Sequence, residues 1–162
     1  MLKSGLLRWL LLALVVIVAD QVSKQMVLSA LTFHQVVPVF PGFNIVLTYN
    51  EGAAFSFLAA AGGWQRHFFT LLALAVSAAI VWTLRKHHAE RRLAFALSLI
   101  LGGAIGNVID RISYGHVVDF LDVYWNTAHW PAFNVADSAI CVGAVLMVLD
   151  GLLKPKTADQ PG

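Results

Sequence analysis

Charge is scarce in this chain of 162 residues: Asp, Glu, Lys and Arg supply 12% of it, about half the share in an average soluble domain. That is too little for a disordered segment or a coiled coil. Cysteine occurs once, as Cys141, so no internal bridge can form and a disulfide scaffold is excluded. Eleven basic residues against nine acidic give a formal charge of +2, which leaves no basic footprint for nucleic acid. Glycine and proline follow no collagen-like period, and neither an internal repeat nor a low-complexity tract is present. What is abundant is apolar: 59% of residues are hydrophobic and the mean hydropathy is +0.73. This is the composition of a single integral membrane domain.

Four stretches approach the ~20 residues that cross a bilayer: about 6–28, 67–84, 93–109 and 135–153. Trp64 and Trp82 bracket the second, ~27 Å apart along a helix, a spacing suited to aromatic anchors at two interfaces. Lys3 and Arg8 before an apolar run, with Leu28-Ser29-Ala30 after it, imitate a cleavable leader. The length of the run and the three spans that follow favour a retained helix.

Lys3, Arg8, Arg85, Lys86, Arg91, Arg92, Lys154 and Lys156 fall before span one, between spans two and three, and after span four. With four spans these regions share one side, cytoplasmic by the positive-inside rule, so both termini are expected inside. Asp20, Glu51, Asp110, Asp119, Asp122 and Asp137 gather at the other side. Any chemistry is expected to face outward.

Two segments lie outside the membrane. In residues 33–65, Phe43, Ile45, Leu47 and Tyr49 alternate with Asn44 and Thr48, the period of a half-buried strand. Pro41-Gly42 predicts a turn before it, and Phe55-Ser56-Phe57-Leu58 a short interfacial helix after it. A small sheet resting on the membrane is expected there. Residues 110–134 form the second segment, with a turn at Ser113-Tyr114-Gly115. The tail 154–162 is polar, holds two prolines and is expected to be disordered.

Ionisable groups near a bilayer are costly, and such positions invite explanation. Asp20 and Lys24, four apart with the acid first, read as a helical ion pair that fixes the end of span one. Gly102 and Gly106 form a small-xxx-small pair for close helix approach. Gly103, Asn107 and Arg111 share one face, which places polar side chains above a bare groove; with Asp110 they are candidate positioning groups. Asn134 followed three residues later by Asp137 resembles a capping box at the start of span four, where the helix dipole favours an ionised acid. Asp119, between Val118 and Phe120, is either solvated or desolvated with a raised pKa.

A desolvated and a dipole-stabilised carboxylate brought together can share a proton, one activating water and the other protonating a leaving amine. By spacing alone, Asp110, Asp119, Asp122 and Asp137 allow six pairs, and nothing in the spacing chooses among them. His116, Asp119, Asp122 and His129 could ligate a metal, but their spacing matches no compact zinc motif. His87 and His88 read as solvated, and Cys141 as a buried inert thiol. A serine-protease motif is missing. A proton-coupled transporter would want its acids near the midplane on an inverted repeat. A purely structural subunit would leave the outer acids unexplained.

Five strings, in this order, resemble the bacterial lipoprotein signal peptidase (signal peptidase II) family: Asp20-Gln21-Val22-Ser23-Lys24, Asn50-Glu51-Gly52-Ala53-Ala54-Phe55, Gly102 through Arg111, Val117-Val118-Asp119-Phe120, and Phe133-Asn134-Val135-Ala136-Asp137. The resemblance implies an aspartyl endopeptidase of the inner membrane that needs no cofactor or metal. Its substrate would be a diacylglyceryl-modified prolipoprotein, cut just before the lipidated cysteine. It places the catalytic dyad at Asp119 and Asp137, with Asn50, Asn107, Arg111 and Asn134 binding substrate or supporting the dyad. Asp20 and Lys24 would be structural. The expected architecture is an all-α bundle of four membrane helices with a small β-rich outer segment, monomeric, with lipid as its surroundings and no nucleic-acid partner.

Overall fold

A computed structural model describes residues 4–51 and 64–153. The expected interfacial helix at 55–58 and the tail 154–162 lie outside the described residues. In chain order the elements are α1 (Ser4–Ala30), β1 (Val36–Phe40), β2 (Phe43–Asn50), α2 (Trp64–His87), α3 (Arg91–Ser113), β3 (Val117–Trp125), β4 (Ala128–His129) and α4 (Val135–Leu153). All four helices are long and apolar enough to cross a membrane.

The bundle is organised around α3. Two-thirds of its apolar window (67%) is buried, against 17% in each of the other three, so α3 is the protein core while α1, α2 and α4 turn most of their apolar surface to lipid. Leu14, Val15, Val18, Leu71, Trp82, Val145 and Val148 are all exposed in this way. Cys141 is exposed too, on the lipid face rather than buried as its apolar surroundings suggested.

Glycine sets how closely the helices meet. A Cβ at Gly102 would lie 2.7 Å from the Ala13 carbonyl of α1, and one at Gly106 would lie 2.6 Å from Asp20 Oδ2. At Gly103 it would collide with the Ala136 carbonyl of α4. The groove expected above Gly103 is therefore filled, because neighbouring backbone packs directly onto the bare positions. Gly103→Val is expected to cost about 3 kcal/mol or more, since the obstructing atom is backbone and cannot swing away. Gly151→Ala, whose Cβ meets nothing within 4 Å, is expected to leave stability unchanged. Thermal unfolding in detergent separates the two.

Away from the sheet, Leu6, Trp9, Ala13, Ile80, Leu84, Ala94, Leu97 and Leu101 form a closed apolar core. The short α2–α3 loop is tied to α1 there: Trp9 Nε1 donates to the His88 carbonyl at 2.8 Å. His88 is half-buried, its ring close against Gly5, and so departs from the solvated state expected of it, whereas His87 is exposed beside Glu90.

At the opposite end lies one antiparallel sheet of order β1-β2-β3-β4. The sheet expected within 33–65 thus draws half its strands from 110–134, because β3 pairs along β2 from Phe43↔Val123 to Asn50↔Val117. Gly42, at φ 93°, makes the Pro41-Gly42 turn between β1 and β2. An irregularity between Ile45 and Thr48 shifts the register and breaks the alternation of faces. Asn44 is consequently buried alongside Leu47, not turned to solvent as the period of two implied.

Candidate active site

The buried polar groups collect where α1, α3 and α4 reach the sheet. Helix α3 runs past the expected end at 109 to Ser113, so Asp110 and Arg111 stand on its last turn. Lys24 is completely buried. Its Nζ lies 2.8 Å from Asp20 Oδ2, 2.7 Å from Asp110 Oδ2 and 3.1 Å from Asn107 Oδ1. One ammonium with three acceptors uses all its donors. The pair expected within α1 is thus one edge of a larger cluster.

Both acids in that cluster are satisfied further. Asp20 Oδ1 accepts the backbone N–H of Ala136 at 2.9 Å, so the acid of α1 binds an orphan amide in the first turn of α4. Asp110 Oδ1 accepts from Gln21 Nε2 at 2.8 Å, and Oδ2 from the Val118 amide at 3.0 Å. Gln21 was not a candidate on sequence grounds; its position beside Asp20, in the polar interruption of an apolar run, was the available sign.

Asp119 and Asp137 meet across Asn134. Asn134 Nδ2 donates to Asp119 Oδ1 at 2.7 Å and also reaches the Val118 carbonyl at 3.2 Å. Asn134 Oδ1 accepts the Asp137 amide at 2.9 Å, while the Asn134 amide donates to Asp137 Oδ2 at 3.3 Å. This is a reciprocal capping box. Asn107 Nδ2 donates to Asp137 Oδ1 at 2.8 Å, and Asn107 Oδ1 accepts from both Lys24 and Asn134. Asn50, at the end of β2, hydrogen-bonds the Asp119 carboxyl. Arg111 donates to the Asn107 carbonyl at 3.4 Å and lies over the Phe69 ring. Its buried Nε has no hydrogen-bond partner among the described residues.

Asp119 is almost fully buried on β3, opposite Thr48 of β2. Burial first, and then the neighbouring charge of Asp137, push its carboxyl up to about 7, against the opposing pull of Asn50, Asn134 and Lys24.

The remaining acids are engaged elsewhere. Asp122 accepts from Asn44 Nδ2 and from His129 Nδ1, each at 2.8 Å, and locks the sheet. His116 lies tilted against Tyr49, with ring centroids 4.1 Å apart. Among the described residues no group of three His, Cys, Asp or Glu side chains is arranged to hold a metal ion.

Four membrane-crossing helices, with a polar cluster buried at one end against a small sheet, define a multi-pass membrane protein in which the charges of that cluster face each other rather than lipid. The family model described as signal peptidase (SPase) II matches residues 12–153, and the chain belongs to that family of peptidases. It is 60% identical over 146 residues to the lipoprotein signal peptidase of Cupriavidus necator, covering 90% of this chain and 83% of that one. It is 55% identical over 159 residues to that of Aeromonas hydrophila, covering 97% and 95%. A bacterial membrane enzyme structure obtained by the in meso method at 2.3 Å resolution superposes with a TM-score of 0.83 at 30% identity, covering 96% of this chain and 93% of the other. A second, at 1.9 Å resolution, gives 0.78 at 32% identity, covering 92% and 94%.

Proposed function

We propose that this protein is an aspartyl endopeptidase that removes the signal peptide from diacylglyceryl-modified prolipoproteins, cleaving just before the lipidated cysteine. The observation that carries the reading is Asn134. Its one side chain holds Asp119 through Nδ2 and the Asp137 backbone through Oδ1, while its own amide binds the Asp137 carboxylate. Two acids on different elements are thereby fixed to one residue, whereas Asp110 and Asp122 are committed to other partners.

Asp137 acts as the base. Its carboxylate takes a proton from a water molecule as the oxygen attacks the scissile carbonyl carbon. Asp119, protonated, supplies a proton to the departing nitrogen, so the C–N bond breaks with a neutral amine leaving. The pair titrates together, and the labels describe the microstate that starts the reaction. Asn107 and Asn134 orient the carboxylates, Asn50 steadies Asp119, and Arg111 offers its unpaired Nε–H to the peptide. Asp20 and Lys24 hold α1, α3 and α4 in register around them.

The positive-inside rule puts both termini in the cytoplasm and the cluster at the outer face of the inner membrane. A lipid-anchored substrate can reach that level sideways from the bilayer. The protein is proposed to work as a monomer without metal or cofactor.

The test is cleavage of a purified diacylglyceryl-modified prolipoprotein, with the cut located by mass spectrometry. Cleavage before the lipidated cysteine is the expected result; no cleavage, or a cut elsewhere, overturns the reading. The pH profile tests the acid. A carboxyl titrating near 7 loses its proton as pH rises, so the rate is expected to fall about tenfold between pH 6 and pH 8. A profile flat from pH 4 to 8 rules out the shared proton.

A further inference from the structure

We infer that the bundle carries a second, non-catalytic site that takes one anionic phospholipid at the end remote from the sheet. A cavity of about 530 Å³ opens there, with Phe95, Leu146, Leu149 and Leu153 as apolar walls and Arg91 and Arg92 among its lining residues. The volume falls within the ~300–1,000 Å³ of small-ligand sites. Arg91 lies sixteen residues before Asn107 on the same helix, ~24 Å along its axis, so the cavity is separate from the acid pair.

The chemistry of the lining points to a phosphate with an acyl chain. Two guanidinium groups, each a planar fork of donors, suit a phosphodiester. Both belong to the first turn of α3, a 23-residue helix with no acidic residue in that turn. Its N-cap, Glu90, makes no side-chain capping bond, so the amides there receive no carboxylate from that residue. The apolar walls continue from the arginines onto the lipid-facing surface, where Leu149 and Leu153 are exposed. A headgroup at the arginines therefore leaves its chain running along α4. Asp150 also lines the cavity. Basic pockets between membrane helices take anionic lipid headgroups elsewhere by this combination.

The full-length protein in neutral detergent tests this, with native mass spectrometry to count retained lipids and thermal unfolding to read their effect. Phosphatidylglycerol is expected to leave one retained molecule and raise the Tm by about 4 °C at tenfold excess over its dissociation constant. Arg91→Gln/Arg92→Gln is expected to lose both effects. Arg85→Gln/Lys86→Gln, which removes the same charge from exposed positions outside this cavity, is expected to keep them. Leu149→Trp, which fills the cavity without altering charge, is expected to displace the lipid, and it decides the matter should the arginine variant unfold. Equal effects from phosphatidylcholine overturn the charge selectivity, and an equal shift from inorganic phosphate overturns the lipid identity. Undiminished phosphatidylglycerol binding by both variants overturns the site.

Discussion

Asp119→Asn and Asp137→Asn are each expected to lower prolipoprotein cleavage by about 10³-fold or more, since each removes one half of the proposed acid–base pair. The two substitutions differ in structural consequence, which makes them informative together. Asp119 accepts from the Asn134 and Asn50 side chains. An amide there keeps one acceptor, and its NH2 takes the place of the O–H that the carboxyl already carries when protonated below pH 7. The Asp119 variant is therefore expected to fold with little change in Tm. Asp137 accepts through both oxygens, from Asn107 Nδ2 and from the Asn134 amide. An amide must turn its NH2 toward one of those donors, so Asp137→Asn is expected to lose about 1–3 kcal/mol as well as activity. Asp122→Asn supplies the control: its partners Asn44 and His129 belong to the sheet, and cleavage is expected to stay within about tenfold of wild type. Activity surviving either of the first two changes would withdraw the dyad assignment.

The second large effect is expected at Lys24. Lys24→Met keeps most of the side-chain volume but leaves Asp20, Asp110 and Asn107 facing one another with no cation between them. Removing one partner of a buried charge cluster costs about 3–5 kcal/mol. With two carboxylates stranded, the upper part of that range is expected, read as a Tm decrease of roughly 10 °C or more in detergent. Adding Asp110→Asn to Lys24→Met removes one stranded charge and is expected to recover part of the loss. Failure of that partial recovery would show that Lys24 acts through its packing rather than its charge. Cleavage is expected to fall with the Lys24 substitution even below the Tm, because Asn107 loses a donor that helps to orient it toward Asp137.

Local signals along the chain carry much of this arrangement. The i,i+4 spacing of Asp20 and Lys24 is enough to predict their contact, because a helix brings such side chains together whatever else surrounds it. Asn134 and Asp137 are legible for the same reason: the box closes within three residues. The four apolar runs are equally local. What spacing cannot supply is the partner from a distant element. Nothing near Lys24 announces Asp110, and nothing near Asp110 announces the Val118 amide. Nor does spacing announce that Asn134 reaches Asp119, fifteen residues before it on another element. The bulge after Ile45 shows the limit from another direction: the alternation of Phe43 to Tyr49 is real in the sequence, yet one irregular step exchanges the faces and buries Asn44. Glycine misleads similarly, since a bare helix face looks the same whether it awaits a ligand or already holds a neighbouring backbone.

The bond between Asp20 and the amide of Ala136 joins positions 116 residues apart, and this has a consequence for biosynthesis. During synthesis the first helix is complete long before the last emerges, and until then Asp20 lacks one of its hydrogen bonds and Asp119 lacks Asn134. A nascent chain that stops before the fourth helix holds Asp119 without Asn134 or Asp137. The polar cluster is therefore completed only late, when the final helix packs beside the first and brings Ala136 to Asp20 and Asn134 to Asp119.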